Sequence, residues 1–325
     1  MELVCPAGTP AALRAAIGAG ADAVYCGFSD ETNARNFPGL NFSREEMGES
    51  IAYAHAEKAK VLVAINTFPR AGATAIWRRA VDDAVDLGAD ALIVADIGLL
   101  DYVARTHPHQ RLHLSVQAAA ANPDSIQFYV DNFAVRRVVL PRVLSVAEIA
   151  AINLDASCET EVFVFGGLCV MAEGRCSLSS YATGQSPNMH GVCSPASHVS
   201  YRQEGDALVS RLGDFTINRF AADEPAPYPT LCKGRFSTKS GSGYIFEDPA
   251  SLDAAALLPA LRDAGVTALK IEGRQRSRAY IEGVVRAFRE ALEALDSGRP
   301  IVTSGLARMT EGQTTTSGAY RKSWR

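Results

Sequence analysis

Short apolar runs recur along the chain, and most are followed by a stretch in which apolar positions have helical spacing. Eight of the runs are almost continuously hydrophobic, which is typical of parallel strands buried on both faces. They span Leu3–Pro6, Ala23–Cys26, Val61–Asn66, Ala91–Asp96, Leu112–Gln117, Arg137–Leu140, Glu161–Phe165 and Ala268–Glu272. The pattern therefore predicts eight strands that are joined mostly by helical crossovers.

The stretches between these strands carry the usual signals of helix ends. Thr9 is a predicted N-cap and is followed by Pro10 at the first helical position. Ser43 and Glu46 have the spacing of a capping box. The predicted helices are Thr9–Ala19, Ser43–Lys58, Ile76–Leu87, Pro123–Asn132, Ser145–Asn153, Ser251–Ala264 and Ser277–Asp296.

A similar joint between helix and strand occurs three times, at Gly18–Tyr25, Leu87–Val94 and Ala264–Ile271. Each joint places glycine just after a helix, where a left-handed residue is favoured, and then enters an aliphatic run. Repeated β/α units with eight strands predict an α/β fold, a (β/α)8 TIM-type barrel. An open doubly wound sheet is the alternative.

The alternation is interrupted between the seventh and eighth strands by far more chain than a barrel crossover needs. We predict a single barrel domain over residues 1–302, with an insertion at residues 166–250 and a polar tail at residues 303–325. The tail is either a frayed end, which is the default, or a strap over the barrel mouth. Because the insertion follows the carboxyl end of a strand, its residues should lie where barrel enzymes build their sites.

Four of the seven cysteines lie in this insertion, at Cys169, Cys176, Cys193 and Cys232. Four thiolates can hold zinc or an iron–sulfur cluster. The intervening segments of six, sixteen and thirty-eight residues include no two-residue knuckle of the zinc-ribbon kind, so the spacing favours a cluster. Structural zinc and unrelated thiols stay open as alternatives.

Composition narrows the class of protein. The 325 residues are 47% hydrophobic, which is ordinary for a globular chain, and carry a net charge of −4. An acidic balance argues against a surface built mainly to bind nucleic acid. No signal-peptide pattern and no apolar run of about 18 residues is present, so we expect a cytoplasmic protein without a membrane span. Thiols stay reduced in that compartment, where a cysteine cluster more often binds metal than forms disulfides.

Two segments around the first pair of cysteines resemble the signature of the collagenase-like peptidase family, which is named as peptidases of unknown catalytic type. They are Glu161–Cys169 and Gly174–Ser179. Gly167 stands where serine or alanine is usual. Further resemblances cover nearly the whole chain and lie at Cys5–Gly8, Tyr25–Gly27, Asn33–Phe37 and Lys270–Arg274.

The resemblance implies a [4Fe–4S] cluster on the four cysteines. Members that hydroxylate RNA carry extra C-terminal domains, whereas this chain ends soon after its last predicted helix. The resemblance therefore points to the branch that works in oxygen-independent ubiquinone biosynthesis. It implies a heterodimer with a related, cluster-bearing paralogue, a polyprenyl quinone precursor as substrate and prephenate as hydroxyl donor.

An accessory protein that delivers the lipid is a further expectation, and stable binding of nucleic acid is not expected. RNA hydroxylation, peptidase activity and a zinc scaffold are the alternative functions.

Hydroxylation of an aromatic ring needs a proton acceptor and groups that hold an anionic donor. Polar residues at the predicted strand ends are candidates, with Asp96 or Glu272 as the base. Arg142, Arg274 or Arg35 could bind a carboxylate with two hydrogen bonds. The structural alternative is that these charged residues pair with one another to support the barrel.

Overall fold

The computed structural model of the chain describes residues 1–190, 192–239, 241–303, 305–310 and 314–321. The strands are β1 (Glu2–Pro6), β2 (Ala23–Cys26), β3 (Lys60–Ile65), β4 (Ala91–Val94), β5 (Leu112–Leu114), β6 (Arg137–Val139), β7 (Glu159–Gly167), β8 (Val199–Glu204), β9 (Ala207–Leu212), β10 (Phe215–Phe220), β11 (Arg235–Thr238), β12 (Gly241–Tyr244), β13 (Ser251–Asp253), β14 (Ala268–Ile271) and β15 (Thr315–Thr316). The helices are α1 (Pro10–Gly18), α2 (Arg44–Ala56), α3 (Thr74–Asp86), α4 (Ile97–Thr106), α5 (Pro123–Phe133), α6 (Val146–Asp155), α7 (Leu178–Thr183), α8 (Pro187–His190), α9 (Leu258–Asp263) and α10 (Arg278–Asp296).

Eight parallel strands close into a barrel. Strands β1 to β7 pair in sequence order, β14 pairs with β1, and β7 pairs back onto β14 with Glu161 opposite Ala268. Most crossovers contain a helix, and these helices cover the outside of the barrel. The prediction of a (β/α)8 barrel is confirmed, and the open sheet is wrong because β7 and β14 are hydrogen-bonded to each other.

The hydrophobic core has two layers. The larger layer lies between the strands and the surrounding helices and includes the fully buried Trp77 and Phe288. A smaller cluster joins residues of β1 to β4 and β14 on the inner face, among them Tyr25, Ala64 and Ile93. Several inner positions are alanine, so the barrel interior has room for long charged side chains.

A group of buried charges occupies this interior. Glu161 on β7 is fully buried and accepts a hydrogen bond of 2.5 Å from Nζ of Lys270 on β14. Its other oxygen accepts a bond of 3.2 Å from Arg137 on β6, and Arg137 also pairs with Glu159 and Glu2. Ion pairs thus link β1, β6, β7 and β14, the strands on either side of the point where the barrel closes.

Helix α4 was not predicted between the fourth and fifth strands. The structure begins it directly after Asp96, whose Oδ1 accepts a hydrogen bond of 2.9 Å from the Leu99 amide. Asp96 was predicted only as the polar end of a strand, so its role as a helix cap was not recognised. Gly98 in the first turn also weakens the helical pattern.

The predicted helix Ser251–Ala264 is wrong at its start. Ser251–Asp253 forms strand β13 instead, which pairs antiparallel with the end of β7, and only Leu258–Asp263 is α-helical. Long-range pairing with Gly166 and Gly167 overrides the local apolar pattern here.

The insertion adds its own small sheets, which the sequence analysis did not predict. Strands β8, β9 and β10 form an antiparallel sheet, and β11 and β12 form a hairpin. Near the C-terminus, β15 pairs with β13, and the buried Tyr320 donates a hydrogen bond to the Phe163 carbonyl. Residues 304, 311–313 and 322–325 of the predicted tail lie outside the described residues.

Within the part of the chain that the structure describes, no helix combines the length and the apolar character that crossing a bilayer requires.

Removing the carboxylate of Glu161 should destabilise the barrel strongly. Glu161→Ala leaves Lys270 buried without its ion-pair partner, so we expect the free energy of unfolding to fall by about 3 kcal/mol. Urea denaturation followed by circular dichroism measures this change. As a control, Glu282→Ala removes an exposed pair with Arg286 and should cost less than about 1 kcal/mol. Equal losses in the two variants would contradict a central role for the buried pair.

Candidate functional site

A cavity of about 110 Å³ lies at the carboxyl ends of the barrel strands. Its floor is made by inward-facing residues of the barrel, including Ala64, Ile93, Val139 and Phe163. Polar residues from the following loops form the rim. This is the face on which (β/α)8 enzymes build their sites, so the cavity is the first candidate for function.

All four cysteines of the insertion line this cavity. They are Cys169, Cys176, Cys193 and Cys232. Cys169 follows β7, Cys176 precedes α7, and Cys232 lies in a short 3-10 helix at Leu231–Lys233. The fold thus brings together thiols that the sequence spreads over more than sixty residues.

Burial favours the neutral thiol form of Cys169 and Cys193. Burial raises the pKa of Cys169, the charge of Glu173 raises it further, and Arg142 opposes this. Burial also raises the pKa of Cys193, which Arg35 and Lys233 oppose and Cys232 and Cys176 reinforce. Binding of a metal to these side chains would therefore release protons.

Cys193 retains solvent-exposed surface as a residue, although protein atoms surround its sulfur closely enough for burial to raise its pKa. The sulfur is the relevant atom for ligation, and it interacts electrostatically with the other three cysteines. Burial likewise raises the pKa of Cys232, with Lys233 opposing it.

The four cysteines are soft donors of the kind that zinc or an iron–sulfur cluster takes. Among the described residues, no three His, Cys, Asp or Glu side chains are close enough to bind one metal ion. A tetrahedral zinc site needs four sulfurs about 2.3 Å from one centre, whereas a four-iron cube spaces its ligands more widely. All four thiols line one cavity, and their chemistry suits a cofactor bound by thiolates.

A charged group occupies one side of the rim. Arg142 is buried, pairs with Glu173 through Nη1 and stacks on the Phe163 ring with its central carbon 3.4 Å from the ring centre. Glu272 accepts a hydrogen bond of 3.0 Å from the Gly167 amide. Burial opposes ionisation of Glu272, but Arg142, Arg35 and this amide outweigh it and lower its pKa. Glu272 is therefore a weak proton acceptor.

Arg274 lies on the opposite side and is only 8% exposed. Its Nη1 donates to Asn33 Oδ1 at 2.8 Å, and its guanidinium lies 5.4 Å from the centre of the Tyr25 ring. Burial lowers the pKa of Arg274 to about 10, which still leaves it charged at neutral pH. Within the described residues, Arg274 forms no ion pair with a carboxylate, in contrast to Arg142.

Asn33 connects Arg274 to the loop that carries Arg35. The Asn33 amide donates to Phe28 and Asn41, and its Oδ1 accepts from the Arg35 amide at 3.0 Å. Asn33 was part of a quoted motif but not a candidate site residue. Its link to the site could not be read from sequence, because Asn33 and Arg274 are 241 positions apart.

Four of the five predicted candidates line the cavity, namely Arg35, Arg142, Glu272 and Arg274. Asp96 does not, because its side chain caps α4. The sequence analysis missed Tyr25, Glu173 and Lys270, which also line the cavity. A signal for Glu173 was available, since it is an acidic residue between the first two cysteines.

The cations near the thiols are Lys233, Arg35 and Arg142, whose charges act on Cys193, Cys232 or Cys169. Arg235, which could also have faced the cysteines, instead pairs with Glu224. Three positive groups beside four thiols would offset part of the negative charge of a thiolate-bound cluster.

The chain matches a protein-family model and several known proteins over most of its length. The model of peptidase family U32 matches residues 8–322. The tRNA hydroxylation protein P of Escherichia coli is 34% identical, with 93% of this chain aligned to 70% of that protein. A 23S rRNA 5-hydroxycytidine synthase of Escherichia coli is 32% identical over 97% of this chain but only 42% of its own length. A collagenase of Porphyromonas gingivalis is 28% identical over 91% of this chain and 66% of that protein.

A side chain at Gly174 should disrupt the loop between the first two cysteines. Gly174 has φ of +81°, and a Cβ there would lie 1.9 Å from the Gln117 carbonyl oxygen. We expect Gly174→Ala to lower the melting temperature and to expose Cys176 to a thiol reagent. Gly243→Ala is the control, since no atom lies within 4 Å of its added Cβ. Unchanged thiol reactivity in Gly174→Ala would show that the loop tolerates the shift.

Proposed function

Since the chain belongs to peptidase family U32, we propose that it is a hydroxylase subunit of that family and the counterpart of UbiU. In this role it hydroxylates the aromatic ring of polyprenyl precursors in anaerobic ubiquinone biosynthesis, without molecular oxygen. The relatives named above as hydroxylation proteins support the reaction class. The quinone precursor as substrate is the proposal's own step.

One observation carries the proposal. Four cysteines and a ring-sized apolar floor belong to the same cavity. An arrangement of this kind supports redox chemistry next to a bound aromatic group, because a cluster on the thiols would lie beside the substrate. A structural zinc clip would not need to share its cavity with buried arginines and carboxylates.

The proposed cofactor is a [4Fe–4S] cluster held by Cys169, Cys176, Cys193 and Cys232. When bound, it supplies one-electron redox chemistry at the barrel mouth. The chain's own residues bind and orient the reactants and keep water out. Arg35, Arg142 and Lys233 balance the charge of the thiolates.

Arg274 is the proposed anchor for the hydroxyl donor, for which prephenate is the candidate. A buried guanidinium without a carboxylate partner is costly. A carboxylate of the donor could accept two hydrogen bonds from it. The ring face of Tyr25 and the side-chain oxygen of Asn33 would hold the guanidinium in place.

The proposed assembly is a cytoplasmic heterodimer with a UbiV-like paralogue. A lipid-binding accessory protein would present the polyprenyl precursor, because the cavity accommodates a ring rather than a long apolar tail.

RNA hydroxylation is the second candidate, and the names of the relatives favour it. The net charge of −4 gives it less support, since binding a polyanion is favoured by a basic surface. Hydroxylated nucleosides in cells with and without the gene distinguish the two, and a lost nucleoside would replace the quinone proposal.

The metal content of anaerobically purified protein tests the cofactor. We expect about four iron and four sulfide per chain, with a broad absorption band near 400 nm. Cys176→Ala should lose the cluster and anaerobic quinone production together. Cys158→Ala, which changes a free cysteine outside the cavity, should retain both.

About one zinc per chain in colourless, air-stable protein would instead make the four cysteines a structural clip. Normal quinone in Cys176→Ala would refute the hydroxylase role even if iron is bound in the wild type.

Binding of prephenate tests the role of Arg274. We expect Arg274→Gln to weaken binding by about 10- to 100-fold, which corresponds to the loss of hydrogen bonds to a charged group. Isothermal titration calorimetry under anaerobic conditions measures the change. Arg286→Gln, on the exposed face of α10, is the matched control. Equal affinity in Arg274→Gln and the wild type would exclude Arg274 as the anchor.

A further inference from the structure

Three buried polar atoms in the wall of the cavity lack a hydrogen-bond partner among the described residues. They are Nε of Arg142, Oε2 of Glu173 and Oε1 of Gln117. Each unpaired buried group costs on the order of 1–3 kcal/mol. Proteins satisfy nearly all such groups, so three of them around one cavity indicate that a ligand completes their bonding.

The three side chains come from separate loops and are held in place. Gln117 lies in the turn after β5, and its backbone packs against Gly174. Arg142 follows β6 and stacks on Phe163. Glu173 follows β7, and its other oxygen is bound by Arg142. These contacts fix the side chains of Arg142 and Glu173 and the backbone of Gln117, so the unpaired atoms are held near the cavity before a ligand binds.

The chemistry of the set restricts the ligand. Two of the atoms are acceptors and one is a donor. A hydroxyl group satisfies two of the three atoms, since it donates its single hydrogen to Glu173 or Gln117 and accepts one from Arg142. A carboxylate does not match, because Glu173 would repel it. The adjacent floor of Ile93, Val139 and Phe163 is apolar, which suits an aromatic ring that carries the hydroxyl.

We propose that Glu173, Gln117 and Arg142 form a subsite that binds the hydroxyl group of a phenol. The identification of the phenol as a reactant rests on the proposed function, whereas the subsite itself rests on the unpaired atoms. Glu173 is the hydrogen-bond acceptor of this subsite, a position that neither Asp96 nor Glu272 is free to take. Asp96 caps a helix, and Glu272 is engaged by the Gly167 amide and stabilised as a carboxylate by Arg142 and Arg35.

The subsite also has a consequence for reactivity. A hydrogen bond from the phenol to the carboxylate of Glu173 increases electron density in the ring, mainly at the carbons ortho and para to the hydroxyl. The group that recognises the substrate therefore also activates it.

Binding of two small probes to the holo protein tests the subsite. p-Cresol carries the hydroxyl, and 4-methylanisole has a methyl ether in its place. We expect the wild type to bind p-cresol about tenfold more tightly, as one charge-assisted hydrogen bond predicts. Glu173→Gln should reduce this preference to less than about threefold. Glu282→Gln, an exposed helix position, should keep it.

Gln117→Met is a second variant in case Glu173→Gln does not fold, and it should also reduce the preference. A full preference in whichever of these variants folds would overturn the proposal, as would a wild type that binds both probes equally. Tighter binding of cytidine than of p-cresol, lost in Glu173→Gln, would overturn the phenol as ligand.

Iron content measured on the same samples separates the two proposals. A loaded cluster without a preference for p-cresol refutes only the subsite. A preference for p-cresol in protein that lacks iron refutes only the proposed function.

Discussion

The fold depends on placing a fully buried carboxylate between two cations inside the barrel. In this interior, Lys270 and Arg137 bind the two oxygens of Glu161 from the neighbouring strands. Since the three residues lie on β7, β14 and β6, the ion pairs fix the register of these strands where the barrel closes. A shift of the strand register by one residue would point one of these charged side chains into the hydrophobic layer between the strands and the helices.

The register of these strands also sets the position of the functional site at the barrel mouth. Two residues after Glu161, Phe163 forms part of the cavity floor, and the same strand leads through Gly166 and Gly167 to Cys169. Gly166 lies against the backbone of Glu272 on the other strand of the closure. The position of the first cysteine is therefore set by the barrel and not by the insertion alone.

Sequence patterns predicted the barrel well because buried parallel strands leave long apolar runs, and seven of the eight predicted strands began within one residue of the observed start or on it. They failed where distant partners decide the structure. Ser251–Asp253 forms a strand because it pairs with the end of β7. Asp96 caps a helix. The position of Glu173 between two cysteines was a signal in the sequence, but only the structure shows that one of its oxygens is bound and the other is not.

Tyr320 closes the layer that covers β7, through its bond to the Phe163 carbonyl and the pairing of β15 with β13. About 150 residues separate Tyr320 from Cys169. At ordinary rates of protein synthesis this length takes roughly ten seconds or more to make. A nascent chain therefore carries its first cysteine for that time before the supporting layer can form. The loop that carries Cys169 therefore stays without this supporting layer until residue 320 has been made.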